Sequence, residues 1–218
     1  MPLTDLETLR DRIEDQLKDS GNADWATGEL DNALRIALAE LSTLSPSRGV
    51  ATIDAVASQF EYSLAGITGL QSVVEVWYPY LATDESYKKP HPVKWRMLTD
   101  GTLYLDVDED PEAAYKLRVF YDKVQTLAGL DAAAATTLNE AEKAALVLGA
   151  AGYAATARAV YITDRVSVGG SQAAERLADW GRRMVGAFQQ RAYALGQRDA
   201  MDEDSRIGWW SADKWDGE

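Results

Sequence analysis

The chain has 218 residues, 46% of them apolar and 26% charged, with a formal net charge of −13, no cysteine and one histidine. That length supports one substantial core or two small ones, and the balance is that of a soluble globular protein rather than a disordered one. Without cysteine, disulfides and thiolate chemistry are excluded and a reducing cytoplasm is the expected place of synthesis. An acidic chain is also poorly suited to gripping nucleic acid through its phosphates.

The start, Met1-Pro2-Leu3-Thr4-Asp5, lacks a basic region leading into an apolar stretch, so no signal peptide is expected. Thr4-Asp5-Leu6-Glu7 has the spacing of a capping box, and Leu6, Leu9, Ile13 and Leu17 recur at helical spacing until Ser20-Gly21-Asn22. After Trp25 a second helix is expected from about Thr27 to Leu44, with Leu30, Leu34, Ala37, Leu38 and Leu41 on its apolar face. The short link makes the two an antiparallel pair.

Ser45-Pro46-Ser47-Arg48-Gly49 ends that pair, and the period changes to two. Val93, Trp95 and Met97, then an Asp100-Gly101 turn, then Leu103, Leu105 and Val107 predict a hairpin. Val73–Tyr78 and Leu117–Val124 read as further strands, Ala51–Ile67 as a mixture of strand and loop, and Thr83–Pro92 as an exposed loop. Helix resumes at Thr137-Leu138-Asn139-Glu140, a second capping-box pattern, and runs to about Asp164. Its Ala and Gly residues let a neighbour approach closely, and its longest uncharged run, Ala144–Ala157, is too short to span a bilayer. Ser167-Val168-Gly169-Gly170 introduces a last helix, about Ser171–Leu195, with Leu177, Trp180, Met184, Phe188 and Tyr193 as its apolar stripe. The expected architecture is therefore mainly α with a β-rich insertion (α+β). Residues 1–45 and 138–198 form an antiparallel helical bundle, 46–137 a small projecting β subdomain, and 199–218 an extended tail.

Motifs for chemistry are sparse. His91 stands between Pro90 and Pro92 without a partner motif for a base or nucleophile. With one His and no Cys, ordinary zinc sites are excluded. Gly169-Gly170 lies between helices rather than after a strand, so it reads as a hinge and not a phosphate cradle. Asp106, Asp108, Glu109 and Asp110 resemble the start of a calcium loop, but Pro111 and Leu117 stand where its Gly and bidentate Glu belong. That run reads as solvated loop, and no catalytic residue, cofactor or metal is expected. Asp and Glu are plentiful, and nothing singles out a glycosidase-like pair.

Charge is distributed unevenly. Residues 1–45 carry ten acids against four bases, whereas residues 139–198 carry eight bases against five acids. The basic residues Arg176, Arg182, Arg183 and Arg191 of the last helix are expected to face an adjacent copy or acids of the larger assembly rather than DNA, and the acidic residues 1–45 of an adjacent copy are the natural complement. The tail 199–218 carries seven acids against Arg206 and Lys214, together with Trp209, Trp210 and Trp215. So short and charged a segment cannot bury three indoles by itself. It either folds back over its own unit or docks on another chain. Trp is the commonest interface anchor, which favours docking, with Arg206, Ile207, Trp209, Trp210 and Trp215 as the partner-binding residues.

The run Trp25-Ala26-Thr27-Gly28-Glu29-Leu30-Asp31-Asn32-Ala33-Leu34, ending in Leu38-Ala39-Glu40-Leu41, resembles the start of the head–tail adaptor (connector) proteins of tailed bacteriophages. The insert with Trp77-Tyr78-Pro79, the Asp100-Gly101 hairpin, Arg118-Val119-Phe120-Tyr121 and the Ala-rich helix pair follow the same order. The resemblance spans roughly residues 5–195 as a pattern of elements, and it does not reach the tail. It implies a structural virion protein: a ring, usually of twelve copies, beneath the portal, extending the DNA channel and joining the capsid to the neck or tail. The implied partners are the portal protein, copies of the chain itself and a downstream neck or tail protein. DNA would pass through without sequence-specific binding, and no membrane is involved. Such a protein is made in the host cytoplasm, ends in the virion neck and performs no reaction. Two other classes stay open: a carboxylate-based enzyme, expected to show a concave pocket with raised carboxylate pKa values, and an acidic DNA-mimicking inhibitor. The basic last helix counts against the inhibitor.

Overall fold

The computed structural model describes residues 5–19, 23–81, 91–99, 101–163 and 171–212, with 163, 171 and 199–212 described by backbone alone. Thr4, the Ser20-Gly21-Asn22 stop, most of the 83–92 loop, Asp100, the Ser167–Gly170 break and Trp215 lie outside the described residues. The chain is α+β and divides into two units, Met1–Pro46 with Gln125–Glu218, and Ser47–Val124. The second boundary was expected at 137/138 and falls at 124/125. Residues 125–137 belong with the helices because Leu127 and Leu130 are buried in the helical core.

The helical unit holds α1 (Asp5–Leu17), α2 (Thr27–Leu44), α3 (Glu140–Thr163) and α4 (Ser171–Ala212). Leu6, Leu9 and Ile13 of α1 and Leu30, Leu34, Ala37 and Leu41 of α2 are buried, as their spacing requires. Asp19 holds the link between these helices, accepting bonds from the N–H groups of Ala23, Asp24 and Trp25 at 2.9, 3.0 and 3.0 Å. Arg10 closes the pair with a bidentate grip on Asp31, at 2.8 and 2.7 Å. The cap of α3 sits two residues later than the sequence pattern placed it. Asn139 Oδ1 accepts from Ala141 and Glu142 N–H, and the Glu142 carboxylate accepts from Asn139 N–H at 2.8 Å. Thr137 instead donates to Gln125 Oε1 at 2.6 Å.

α3 is the centre of the unit, packing on α1, α2 and α4. By length and composition it could cross a membrane, but it spends its apolar surface on these three helices. Its thinness is used directly. A Cβ at Gly149 would stand 2.8 Å from the Phe188 ring, and one at Gly152 would stand 2.8 Å from the Gly181 carbonyl. The two helices therefore approach backbone to backbone. The buried residues of α4 are Ala174, Gly181, Phe188, Ala192 and Leu195, a stripe of small and large residues at heptad spacing. Tyr193, expected on that stripe, is 58% exposed, because a five-residue step from Phe188 carries it off the buried face.

The tail is also corrected. Helix α4 continues to Ala212, so residues 199–212 are helical rather than extended. No proline interrupts Leu195–Ala212, and Gly196 is tolerated because it lies directly against the Leu44 carbonyl.

The second unit has two three-stranded antiparallel sheets. In one, β1 (Ser47–Asp54) and β3 (Leu70–Tyr80) flank β6 (Lys116–Lys123); in the other, β2 (Glu61–Ser63) and β4 (Lys94–Met97) flank β5 (Thr102–Asp106). They share one core, with Val73, Val76, Leu117 and Val119 from the first sheet and Tyr62, Leu103 and Leu105 from the second. The hairpin β4–β5 forms as read, and Gly101 at φ 79° supplies the left-handed residue its short turn needs. Gly49, taken as part of a break, lies inside β1, where the ring of its register partner Tyr121 fills the space of a side chain.

Candidate functional site

A buried polar clasp stands where the chain leaves and re-enters the helical unit. Glu142, almost fully buried, accepts from Ser45 Oγ at 3.2 Å and from Gln125 Nε2 at 3.1 Å, in addition to its cap bond from Asn139. Gln125 also donates its N–H to Ser42 Oγ and its amide to the Ser45 carbonyl, both at 2.9 Å. Every member is satisfied, so the cluster fixes position and leaves no group poised for reaction. Sequence reading missed it because residues 42, 45, 125 and 142 meet only in the fold.

Elsewhere the titrating groups follow structural partners. The three backbone bonds to Asp19, led by Trp25 N–H, hold its carboxyl below the usual range. Thr136, followed by Lys143, does the same for Asp5, and Lys143 does so for Glu140. Burial, reinforced by the carboxylate of Glu40, pushes the Tyr153 phenol up to about 12. Gln189 of α4 donates to the other oxygen of Glu40 at 2.7 Å, so α2, α3 and α4 are tied at one point. Among the described residues, no group of three His, Asp or Glu side chains is disposed to hold a metal. Asp110 of the acidic run instead accepts from Ser58 Oγ at 3.0 Å. His91 is exposed, and its carbonyl accepts from Tyr78 N–H at 3.1 Å.

The four arginines expected at a subunit interface separate into two sets. Arg176, Arg183 and Arg191 recur at i, i+7 and i+15 and are exposed; Arg176 and Arg183 lie away from the buried stripe of α4, and Arg191, three residues after Phe188 and four before Leu195, borders it. Arg182 pairs with Asp179 and lines a groove between α3 and α4. The groove is open to solvent, has a volume of about 510 Å³ and is also lined by Thr156, Ala159, Val160, Ala174, Glu175, Ala178 and Asp179. On α1, exposed Glu7, Asp11 and Asp15 form a row at i, i+4 and i+8. Helices α1 and α4 both pack on α3 and share no packing of comparable extent among the described residues. Arg206, Ile207, Trp209 and Trp210 lie on the helical backbone of α4, with side chains outside the description.

The outer face of the β1–β6–β3 sheet holds a stripe whose residues the sequence marked only as part of an order of elements, not as a surface. Arg118 lies over the rings of Tyr80 and Phe120 at 5.0 and 5.4 Å, and Phe120 meets Trp77 at 5.3 Å. Val50, the register partner of Phe120, is 48% exposed. The Trp77 indole N–H is enclosed without an acceptor.

No protein-family model and no curated protein sequence matches the chain. Among solved structures, the chain is similar to one in the "neck of empty GTA particle computed with C6 symmetry". The identity is 17%, the match covers 70% of this chain and 77% of that one, and the TM-score is 0.27. A likeness that loose carries no argument about this chain.

Proposed function

We propose that this protein is a structural head–tail adaptor of a tailed bacteriophage, a ring beneath the portal that extends the DNA channel and receives the next neck or tail component. The observation that carries the reading is the pair of complementary charged rows on the helical unit. Glu7, Asp11 and Asp15 are exposed on α1 and Arg176, Arg183 and Arg191 on α4, two helices that both pack on α3 and share no packing of comparable extent among the described residues. A surface that complements a different surface of its own kind makes heterologous contacts, and these close into rings when the rotation permits. Charge matching of this sort fixes orientation and register more than affinity.

Other features agree with it. The displaced carboxylates Asp5, Asp19 and Glu140 all shift downward, the direction of structural ion pairs and caps rather than of a general acid. The net charge of −13 suits a channel wall along which DNA must slide without sticking. The resemblance in element order supplies the portal, twelve-fold copies of the chain and a downstream neck or tail protein as the partners. The tail residues Arg206, Ile207, Trp209, Trp210 and Trp215 belong to the docking function in this reading.

Charge reversal tests it. Replacing Arg176, Arg183 and Arg191 by Glu should abolish ring formation with portal protein, scored by electron microscopy. Combining that variant with Glu7→Lys, Asp11→Lys and Asp15→Lys should restore it. Rings that survive the arginine reversal, or a wild-type chain that never attaches to portal, would overturn the reading.

A further inference from the structure

We infer that β1 is an interface strand: a second copy of this chain pairs on it, antiparallel and about a two-fold axis at Ala51, joining the two β1–β6–β3 sheets into one. Strand β1 is an edge of its sheet, with β6 on one side and no strand on the other. Its eight residues run opposite Lys123–Lys116 without a register shift, and no proline lies within it. The other edge, β3, is interrupted by three register shifts and by Pro79. Irregularity and proline are the usual ways of blunting an exposed edge, whereas a long regular edge is a template for another chain.

The direction of the backbone groups follows from the ladder. Ala55 N–H donates to the Tyr115 carbonyl at 3.1 Å, in register with the strand, so the odd-numbered residues of β1 turn their backbone groups to β6. The even-numbered residues turn theirs to the free side. No backbone group among the described residues takes those of Val50, Thr52 and Asp54.

Register and charge point to a second copy as the occupant. With Ala51 opposite the partner's Ala51, Val50 stands opposite the partner's Thr52, a pair that exchanges two hydrogen bonds and recurs across the axis. The same register sets Arg48 opposite the partner's Asp54. Each of these already has a counter-charge on its own β6, Asp122 at 3.5 Å for Arg48 and Lys116 for Asp54. The joined row therefore runs Asp122, Arg48, the partner's Asp54, the partner's Lys116, and the sign alternates at every step. On the other face, Ile53 meets the partner's Gly49, over which a Tyr121 ring lies. Sliding by two residues one way sets Asp54 opposite the partner's Pro46, which has no N–H; sliding the other way sets Val50 opposite the partner's Asp54. A two-fold contact has no place within a cyclic ring, so the pair is a state of the chain before assembly and does not rest on the adaptor reading.

The absence of cysteine makes a direct test possible. Across the axis the two Ala51 Cα atoms would stand about 4.5 Å apart, within the range that a disulfide spans. Full-length A51C, V50C and T52C chains are oxidised with diamide separately, and V50C is also mixed with T52C. The expected result is a covalent dimer from A51C alone and from the V50C–T52C mixture, with little from V50C or T52C by itself. Thr52→Pro removes an N–H from the free edge and leaves the β6 ladder intact, so sedimentation equilibrium should show a dimer at least roughly tenfold weaker than wild type. If that variant fails to fold, the cysteine pattern decides. Wild-type chain that stays monomeric at high concentration, equal cross-linking at the three positions, or a dimer indifferent to Thr52→Pro would each overturn the inference. A monomeric chain that forms rings on portal would sink it alone. An A51C dimer from a chain that never attaches to portal would sink the adaptor reading and leave it standing.

Discussion

In the helical unit, the buried carboxylates Asp19 and Glu142 each receive three hydrogen bonds. In the β unit, Trp77 Nε1 and Asp122 Oδ1 are enclosed without one, the latter with Arg48 Nε at 3.5 Å. The helical unit also packs backbone to backbone through Gly152, Gly181 and Gly196, and seats the Phe188 ring on Gly149. Both units expose some large apolar side chains, Val160 and Tyr193 in the helical unit and Val50 and Val74 in the β unit, so the contrast between them lies in the polar groups. Enclosed polar atoms without partners cost free energy unless something completes them, whereas satisfied networks rigidify. The polar core of the helical unit is thus satisfied within itself, whereas the outer face of the β1–β6–β3 sheet is the one with polar atoms left unfinished.

The largest effects should come from the helical axis. Phe188 is fully buried with its ring against Gly149, so Phe188→Ala should cost about 3–5 kcal/mol. Gly152→Val, whose Cβ would stand 2.8 Å from the Gly181 carbonyl and 2.9 Å from Val185 N, should cost about 1–3 kcal/mol by overpacking. Urea titration followed by helical circular dichroism reads both. If either variant keeps the wild-type midpoint, the helices do not meet as closely as described.

Next come the polar groups. Glu142→Ala strands Ser45 Oγ, Gln125 Nε2 and Asn139 N–H, for an expected loss of about 2–3 kcal/mol. In the β unit, Asp122→Ala removes a bond from Ser72 Oγ at 3.2 Å and should cost under about 1 kcal/mol. Equal losses would erase the contrast between the units.

How far these features were legible in the sequence follows from the range of the interactions. Periods set by a single element were readable: Leu6, Leu9 and Ile13, or the hairpin around Gly101, depend on neighbours within a few residues. The Glu142 clasp was not, since Gln125 and Ser45 reach it from distant parts of the chain, and Thr137 looked like a cap because its pattern matched one. The stripe of α4 was only half legible. Small residues, Ala174 and Gly181, do its packing, and hydrophobicity alone pointed to Tyr193 instead. For the candidate site, the charge imbalance was visible, but the division of Arg182 from Arg176, Arg183 and Arg191 needed the position of α3.

The pH limits of stability should also belong to the helical unit. The folded-state pKa of Asp19 lies below its ordinary value of 3.8, so its contribution is complete above that pH and is lost as pH falls through the depressed value. Asp19→Asn should flatten the acid side of the stability curve and lower Tm by several degrees at neutral pH. Tyr153 works at the other end. Its phenol rises from 10 to about 12 in the fold, so its contribution is intact below pH 10 and disappears as pH climbs through about 12. Tyr153→Phe should remove that alkaline loss, and the absorbance of phenolate should show one tyrosine fewer titrating late. An acid limb unchanged by Asp19→Asn would assign that limb to other carboxylates.

The smallest effect, and the sharpest test of the contrast, compares two tryptophans. Trp25 in the helical unit donates its indole N–H to the Ala154 carbonyl at 3.3 Å, whereas Trp77 in the β unit encloses its own without an acceptor. Trp25→Phe removes that indole bond while the Ala154 carbonyl keeps its partner within α3, and should cost about 0.5–1.5 kcal/mol. Trp77→Phe loses some ring area against Phe120 but also removes an unsatisfied donor, so the two terms oppose and the net should stay within about 1 kcal/mol of zero. If the outer sheet face meets a neighbour whose acceptor completes that indole, Trp77→Phe should speed dissociation of the assembly while leaving the isolated chain as stable as before. A Trp77→Phe variant as destabilised as Trp25→Phe would mean that the indole is already satisfied within the unit. The sheet face would then have lost its claim as the unfinished surface.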